Sequence, residues 1–225
     1  MESLHSKSKP EAKPPTVPAY LLAVVLAFLL SSCASTSRSY GPGAGFFDTV
    51  VVDAGHGGHD NGARARAGSY EKTLTLDTAR RLAARLRSCG FHVIETRPTD
   101  KFISLPQRVA ISNRSGRAVF VSVHYNWTQR RAARGIEIYY NSRRSMRLAA
   151  NILKDVLGAY RTNNRGIKSG RYYVLRNNQK PAVLCELGFV SNSAENRLLQ
   201  SASVRQRLAD RIAAGIVAER AGRRP

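Results

Sequence analysis

The stretch from Ala118 to Val123 constrains this chain more than any other, because its apolar residues leave neither side of a strand polar. A strand of that kind is buried on both faces, and such strands occur in parallel sheets covered by helices on each side. Residues 48–54, with a valine-rich centre, make a second β-run. Between the two, the period changes to that of a helix: from Glu71 to Arg87, Leu76, Ala79, Leu82, Ala83 and Leu86 recur at spacings of three and four. Gly90 stops that helix and Phe91–Thr96 forms the next strand. Ser104-Leu105-Pro106-Gln107 reads as a capping box that opens a helix reaching about Asn113. Further along, Gly135–Tyr140, Tyr172–Leu175 and Pro181–Leu184 read as strands. Met146–Leu157 and a segment from about Ser203 to Arg220 read as amphipathic helices. The alternation predicts a single α/β domain, with a mostly parallel twisted sheet of about six strands and helices on both faces.

The fold is expected to begin near Phe46. Ahead of it, Lys7, Lys9 and Lys13 precede an apolar run from Ala19 to Leu30. That run is shorter than the roughly 20 residues of a membrane-spanning helix and has the length of a signal-peptide core. It ends in Leu30-Ser31-Ser32-Cys33, which resembles a bacterial lipobox. Residues 1–33 are therefore expected to be a lipoprotein-type signal with Cys33 as the lipidated residue, an ordinary cleaved signal or an uncleaved anchor being the alternatives. Residues 34–45, rich in Ser, Gly and Pro, read as a flexible tether, and residues 46–225 as the catalytic domain. The expected location is the periplasmic side of a bacterial envelope, held to a membrane.

The formal net charge is +21. Such a balance favours polyanionic partners: nucleic acid, an anionic wall polymer or a membrane surface. It fits equally well with Arg-rich helices that have no such partner. The export signal speaks against nucleic acid, as does the scarcity of aromatics among Arg130, Arg131 and Arg134. Cys89 and Cys185 show no CxxC or zinc-finger spacing. They read as free thiols, although an exported protein permits a disulfide.

Three residues carry the chemistry. His56 follows the first β-run inside Val52-Asp53-Ala54-Gly55-His56-Gly57-Gly58, Glu71 opens a helix, and His124 follows the run Ala118–Val123. Residues at strand ends and helix starts of an α/β domain converge on one edge of the sheet. Two imidazoles and a carboxylate gathered there are the ligand set of a catalytic zinc, which keeps a fourth position for water. The residues alone thus point to a hydrolase with one Zn2+ per chain. His59 reads as solvent-facing and His92 as structural. Glu137 reads equally as a site-edge residue or a structural partner. Asn126 is a candidate to hold substrate or metal-bound water.

VVDAGHGGHDNGA at 51–63 resembles the first motif of the zinc-dependent N-acetylmuramoyl-L-alanine amidases. So do Glu71-Lys72, Thr96-Arg97 with Thr99-Asp100, Ser122-Val123-His124-Tyr125-Asn126, Arg165-Gly166-Ile167-Lys168 and Ala182–Phe189, all in order. The resemblance spans about residues 48–220. It implies cleavage of the amide between N-acetylmuramic acid and the L-alanine of the stem peptide, with peptidoglycan as the partner. It places His56, Glu71 and His124 as zinc ligands and Glu186 as the catalytic carboxylate. Many cell-separation amidases of this kind carry an insertion after the second His motif that forms a helix blocking the zinc. Here only Trp127–Arg134 separates Asn126 from Gly135, so no protein activator is expected, and Arg130, Arg131 and Arg134 are expected beside the substrate groove. A zinc peptidase acting within the stem peptide, or a silent wall-binding lipoprotein, are the competing readings.

Overall fold

The computed structural model describes residues 47–65 and 68–222. The signal at 1–33 with Cys33, and the tether at 34–45, lie outside the described residues. The strands are β1 (Thr49–Ala54), β2 (His92–Glu95), β3 (Ala118–Asn126), β4 (Ile136–Tyr140), β5 (Asn164–Ser169) and β6 (Ala182–Phe189). The helices are α1 (Glu71–Ser88), α2 (Leu105–Arg114), α3 (Arg143–Val156), α4 (Tyr173–Arg176), α5 (Ser193–Leu199) and α6 (Ala202–Arg220). The strands form one sheet in the order β2-β1-β3-β6-β4-β5. From β2 to β6 all neighbours are parallel, β4 runs antiparallel to β6, and β5 is parallel to β4.

The two-residue period of the strands divides the core. Val50, Val52, Val119, Val121, Val123, Val183 and Cys185 face one side, where Leu82, Ile152 and Leu208 of α1, α3 and α6 cover them. Val51, Phe120 and Leu184 face the other, under Val109 of α2 and Val174 and Leu175 of α4. Each fully buried aliphatic side chain contributes about 1.5–3 kcal/mol, so a sheet buried on both faces holds its register strongly. The helix layer is close-packed. A Cβ on Gly215 of α6 would lie 2.5 Å from the Ile152 Cα of α3. The capping box forms as expected, with Gln107 N donating to Ser104 Oγ and Ser104 N to Gln107 Oε1.

Several expectations are corrected. Tyr172–Leu175 is not a strand, because Tyr173–Arg176 makes a short helix that buries Val174 and Leu175. The sixth strand is β5 instead, an edge segment with little apolar content. β3 and β6 both run further than their apolar centres, so His124 and Glu186 lie within strands rather than past their ends. His92 is exposed at the start of β2. In agreement with the sequence reading, Cys89 and Cys185 are free thiols, the second fully buried.

One buried ion pair ties the C-terminal ends of the central strands together. Asp53, near the end of β1, accepts from Arg108 Nη1 of α2 at 2.6 Å. It also accepts from Thr96 Oγ1, just after β2, and from Ser122 Oγ of β3, both at 2.6 Å. Burial opposes charge on Asp53, but Arg108, Ser122 and Thr96 outweigh it and hold the carboxyl below 3.8. A group depressed in this way contributes fully above its ordinary pKa and is lost as pH falls towards the folded value. Removing one partner of a buried pair costs about 3–5 kcal/mol. Asp53→Ala is therefore expected to lose about that much stability in urea unfolding at pH 7, and the gap to the parent should narrow below pH 3.8.

Candidate active site

The chain leaves β1 at Gly55 and turns sharply. His56 has φ 62°, a left-handed conformation that His tolerates better than most side chains, and Gly57 and Gly58 continue the turn at φ 123° and 60°. Two arginines fix it from behind. Arg108 donates to the carbonyls of Ala54 and His56, both at 2.6 Å. Arg97, 1% exposed, donates to Ala54 O at 2.9 Å and Gly55 O at 2.7 Å. Asp100 accepts from Gly58 N at 2.8 Å and pairs with Lys72 at 2.9 Å. The motif residues Arg97, Asp100 and Lys72 thus hold the shape of the His56 loop.

The three candidate ligands converge as the sequence implies. The donor atoms of His56, Glu71 and His124 all lie within 4.8 Å of one another. His56 Nε2 is 3.2 Å from Glu71 Oε2, and His124 Nδ1 is 3.1 Å from Glu71 Oε1. Backbone amides fix the carboxylate: Tyr125 N donates to Oε1 and Ala63 N to Oε2, both at 3.0 Å. Burial penalises the Glu71 charge, but the two imidazoles more than offset it and hold the carboxyl well below its usual value. Burial likewise opposes charge on His56, and Glu71 and Asp60 overcome it, raising its proton affinity. The cluster offers a cation two nitrogens and an anionic oxygen.

Asp60 lies 2.9 Å from His56 Nδ1, leaving Nε2 for the centre. A carboxylate behind a ligating His fixes its tautomer and ring angle. Its sequence signal was its position four residues after His56 in the same Gly-rich loop.

The parallel register sets Glu186 of β6 beside His124 of β3, and the antiparallel register sets Glu137 of β4 beside Glu186. The two carboxylates have opposite environments. Glu137, although buried, is held below its usual pKa by Lys168, Arg165 and Tyr139, with Lys168 Nζ at 2.5 Å and Arg165 Nε at 2.7 Å. Glu186 is buried without a cation, and its Oε2 has no hydrogen-bond partner. Burial, then repulsion from Glu71 and Glu137, raises its pKa well above 4.5. A dication held by Glu71 would cancel the part due to Glu71.

These groups open into a cavity of about 600 Å³, lined by His56, Glu71, His124 and Glu186 with Phe102, Leu105, Trp127, Tyr172 and Tyr173. Asn126 also lines it, its amide donating to Glu137 Oε1 at 2.8 Å. His59 is exposed and rests on Phe102, with ring centroids 4.1 Å apart. Between Asn126 and Ile136 there is no helix, only a turn closed by Ala133 N donating to Arg130 O. Of the three loop arginines, Arg130 lines the groove next to this cavity, whereas Arg134 points to the Arg161 carbonyl. A Cβ on Gly55 would lie 2.3 Å from the His124 ring. Gly55→Ala is therefore expected to cost about 1–3 kcal/mol by overpacking and to shift the His124 imidazole resonances. Unchanged resonances would show slack behind the ring.

Residues 50–218 match the protein family described as N-acetylmuramoyl-L-alanine amidase. The chain is 36% identical over 195 residues to YqiI of Bacillus subtilis strain 168, which covers 85% of this chain and 91% of that protein. It is 40% identical over 169 residues to the putative N-acetylmuramoyl-L-alanine amidase YrvJ of the same organism, covering 75% of this chain and only 33% of the relative. The catalytic domain of the amidase CwlV from Bacillus (Paenibacillus) polymyxa var. colistinus superposes with a TM-score of 0.72 at 36% identity, covering 77% of this chain and 98% of that domain. With the family match extending over most of the described fold, this chain belongs to the N-acetylmuramoyl-L-alanine amidases, the peptidoglycan hydrolases named for the amide they cleave.

Proposed function

We propose that His56, Glu71 and His124 hold one zinc ion and that Glu186 moves the protons in hydrolysis of the amide between N-acetylmuramic acid and L-alanine. One observation supports this above the rest: a buried carboxyl with an unpartnered oxygen faces the same cavity as the three-donor cluster. Two imidazole nitrogens and one carboxylate oxygen suit zinc, which when bound lowers the pKa of water and polarises a carbonyl. Glu186 accepts the proton of the attacking water and delivers it to the departing alanine nitrogen. Its raised proton affinity serves both steps, because a group titrating nearer neutrality can take and return a proton. Glu137 stays ionised beside it and keeps that affinity high. Asp60 holds His56 in the tautomer that presents Nε2. Asn126 is positioned for the substrate, and the aromatic rim of Phe102, Trp127 and Tyr172 offers flat surfaces to a glycopeptide. No helix crosses the cavity from the loop after Asn126, which supports turnover without a protein activator.

His56→Ala and His124→Ala are expected to lose most bound zinc, since two remaining protein ligands make too open a site. Glu186→Gln should keep zinc and fold while losing about 10²–10⁴ in turnover. Metal analysis, unfolding and mass spectrometry of digested sacculi check all three. Full zinc in either His variant, or normal turnover in the Gln variant, would remove that residue from the mechanism. Shortened stem peptides without freed N-acetylmuramic acid termini would mean a peptidase.

The family places the protein on the extracytoplasmic side of the cell envelope. Among the described residues no helix is long and apolar enough to cross a membrane. Lipidation at Cys33 would supply the attachment, and the lipobox-like Leu30–Cys33 supports it. Cys33→Ser is expected to abolish labelling by a fatty-acid analogue and to release the protein from membranes. Unchanged labelling would place the lipid on another residue, and unchanged fractionation with no label in either protein would make the apolar run Ala19–Leu30 the anchor instead.

A further inference from the structure

A second cavity, of about 650 Å³, lies at the other end of the sheet. Its lining includes Phe47, Ala118, Val119 and Pro181, residues at or beside the starts of β1, β3 and β6, whereas the His56–Glu71–His124 cluster lies at their finishing ends. From Ala118 to His124 along β3 is about 20 Å at the rise of a strand. The two cavities differ in their charged lining. The active-site cavity gathers Asp53, Asp60, Glu71 and Glu186 around His56, His124 and Arg108. The second is lined by Arg117, Arg143, Arg144, Arg147 and Lys180 against the single acid Glu219.

The +21 net charge alone predicts cations everywhere, so their arrangement matters more than their number. Arg147 is neutralised by Glu219 at 2.9 Å, and Arg117 pairs with Asp48 at 2.9 Å. The other side chains are held differently. Arg144 donates to the Gln179 carbonyl at 2.6 Å and Lys180 to the Gly116 carbonyl at 2.7 Å. Main-chain carbonyls orient these side chains without cancelling their charge, leaving them available to an anion. Apolar lining residues beside these cations suit an amphiphile with a phosphate head.

We propose that this cavity docks the phosphodiester headgroup of an anionic phospholipid, seating the domain on the membrane with its catalytic edge turned away, towards the wall. The inference uses the envelope location and goes beyond the hydrolytic reading, so it stands or falls separately from Glu186 chemistry.

The test is co-sedimentation of the full chain with vesicles of phosphatidylcholine alone or with phosphatidylglycerol added. The readout is the ratio of the two partition coefficients, in which binding through the apolar run 19–30 cancels. Each cation near an anionic surface contributes about fivefold. The variant R143A/R144A/K180A should therefore lower the ratio at least about tenfold, with unchanged turnover on a soluble muropeptide reporting an intact fold. The charge-retaining variant R143K/R144K/K180R should keep the parent's ratio even if its packing shifts. Three results would overturn the proposal: an equal ratio in parent and alanine variant; an equal loss on removing Arg85, Arg87 and Arg197, which lie outside the cavity; or lost binding to isolated sacculi with the vesicle ratio intact. The last would assign the cavity to an anionic wall polymer.

Discussion

The Asp53–Arg108 pair is the constraint on which the site depends. Its 2.6 Å contact is buried on both sides, and a buried pair of charges is by itself weak evidence of net stability. Its value here lies in what else the two residues hold. Asp53 gathers groups from β3 and the segment after β2, and Arg108 continues past it to the carbonyls of Ala54 and His56. The loop between β1 and α1 has few apolar side chains to fold around. Its shape is specified instead by arginine donors, which reach several carbonyls at once in a fixed fork.

Sheet topology supplies the rest of the chemistry. The parallel neighbours β1 and β3 bring two histidines to one edge, and the first turn of α1 adds Glu71 between them. The antiparallel return of β4 onto β6 then sets two carboxylates side by side with unlike surroundings. Glu137 faces two cations and is held below its usual pKa, while Glu186 faces none and has its proton affinity raised. That difference in surroundings arises from register, because a shift of one residue in β4 would turn Glu137 to the other face.

Much of this was legible in the sequence, and the parts that were not have physical reasons. Helices α1, α2, α3 and α6 announce themselves by apolar spacing and, for α2, by its capping box. The central strands announce themselves by apolar runs. β5 does not, because an edge strand such as Asn164–Ser169 has few neighbours to bury against and reads as a loop. Tyr172–Leu175 misleads in the other direction. Its aromatic and branched residues favour a strand, yet one helical turn there lets Val174 and Leu175 fill the space beside α2. Strand propensity reports packing more than backbone preference. The donor triad was visible because each member sits beside a strong local signal. Asp60 and Glu137 were less so, since a carboxylate's role depends on partners distant in sequence, such as Arg165 and Lys168.

The left-handed backbone of His56 has a consequence for how this centre can change. Most side chains are strained there, but Asn, Asp and His are not strongly disfavoured. His and Asp among them offer a metal an imidazole nitrogen or a carboxylate oxygen. Exchanging one for the other leaves the turn intact while replacing a nitrogen by an oxygen, which moves a site towards harder ions such as magnesium or manganese. Gly55 offers no such latitude, because the His124 ring occupies the space of its missing side chain. Adjacent residues of one turn therefore differ in evolvability: the backbone at position 56 admits His or Asp, and position 55 must stay without a side chain while the His124 ring fills that space.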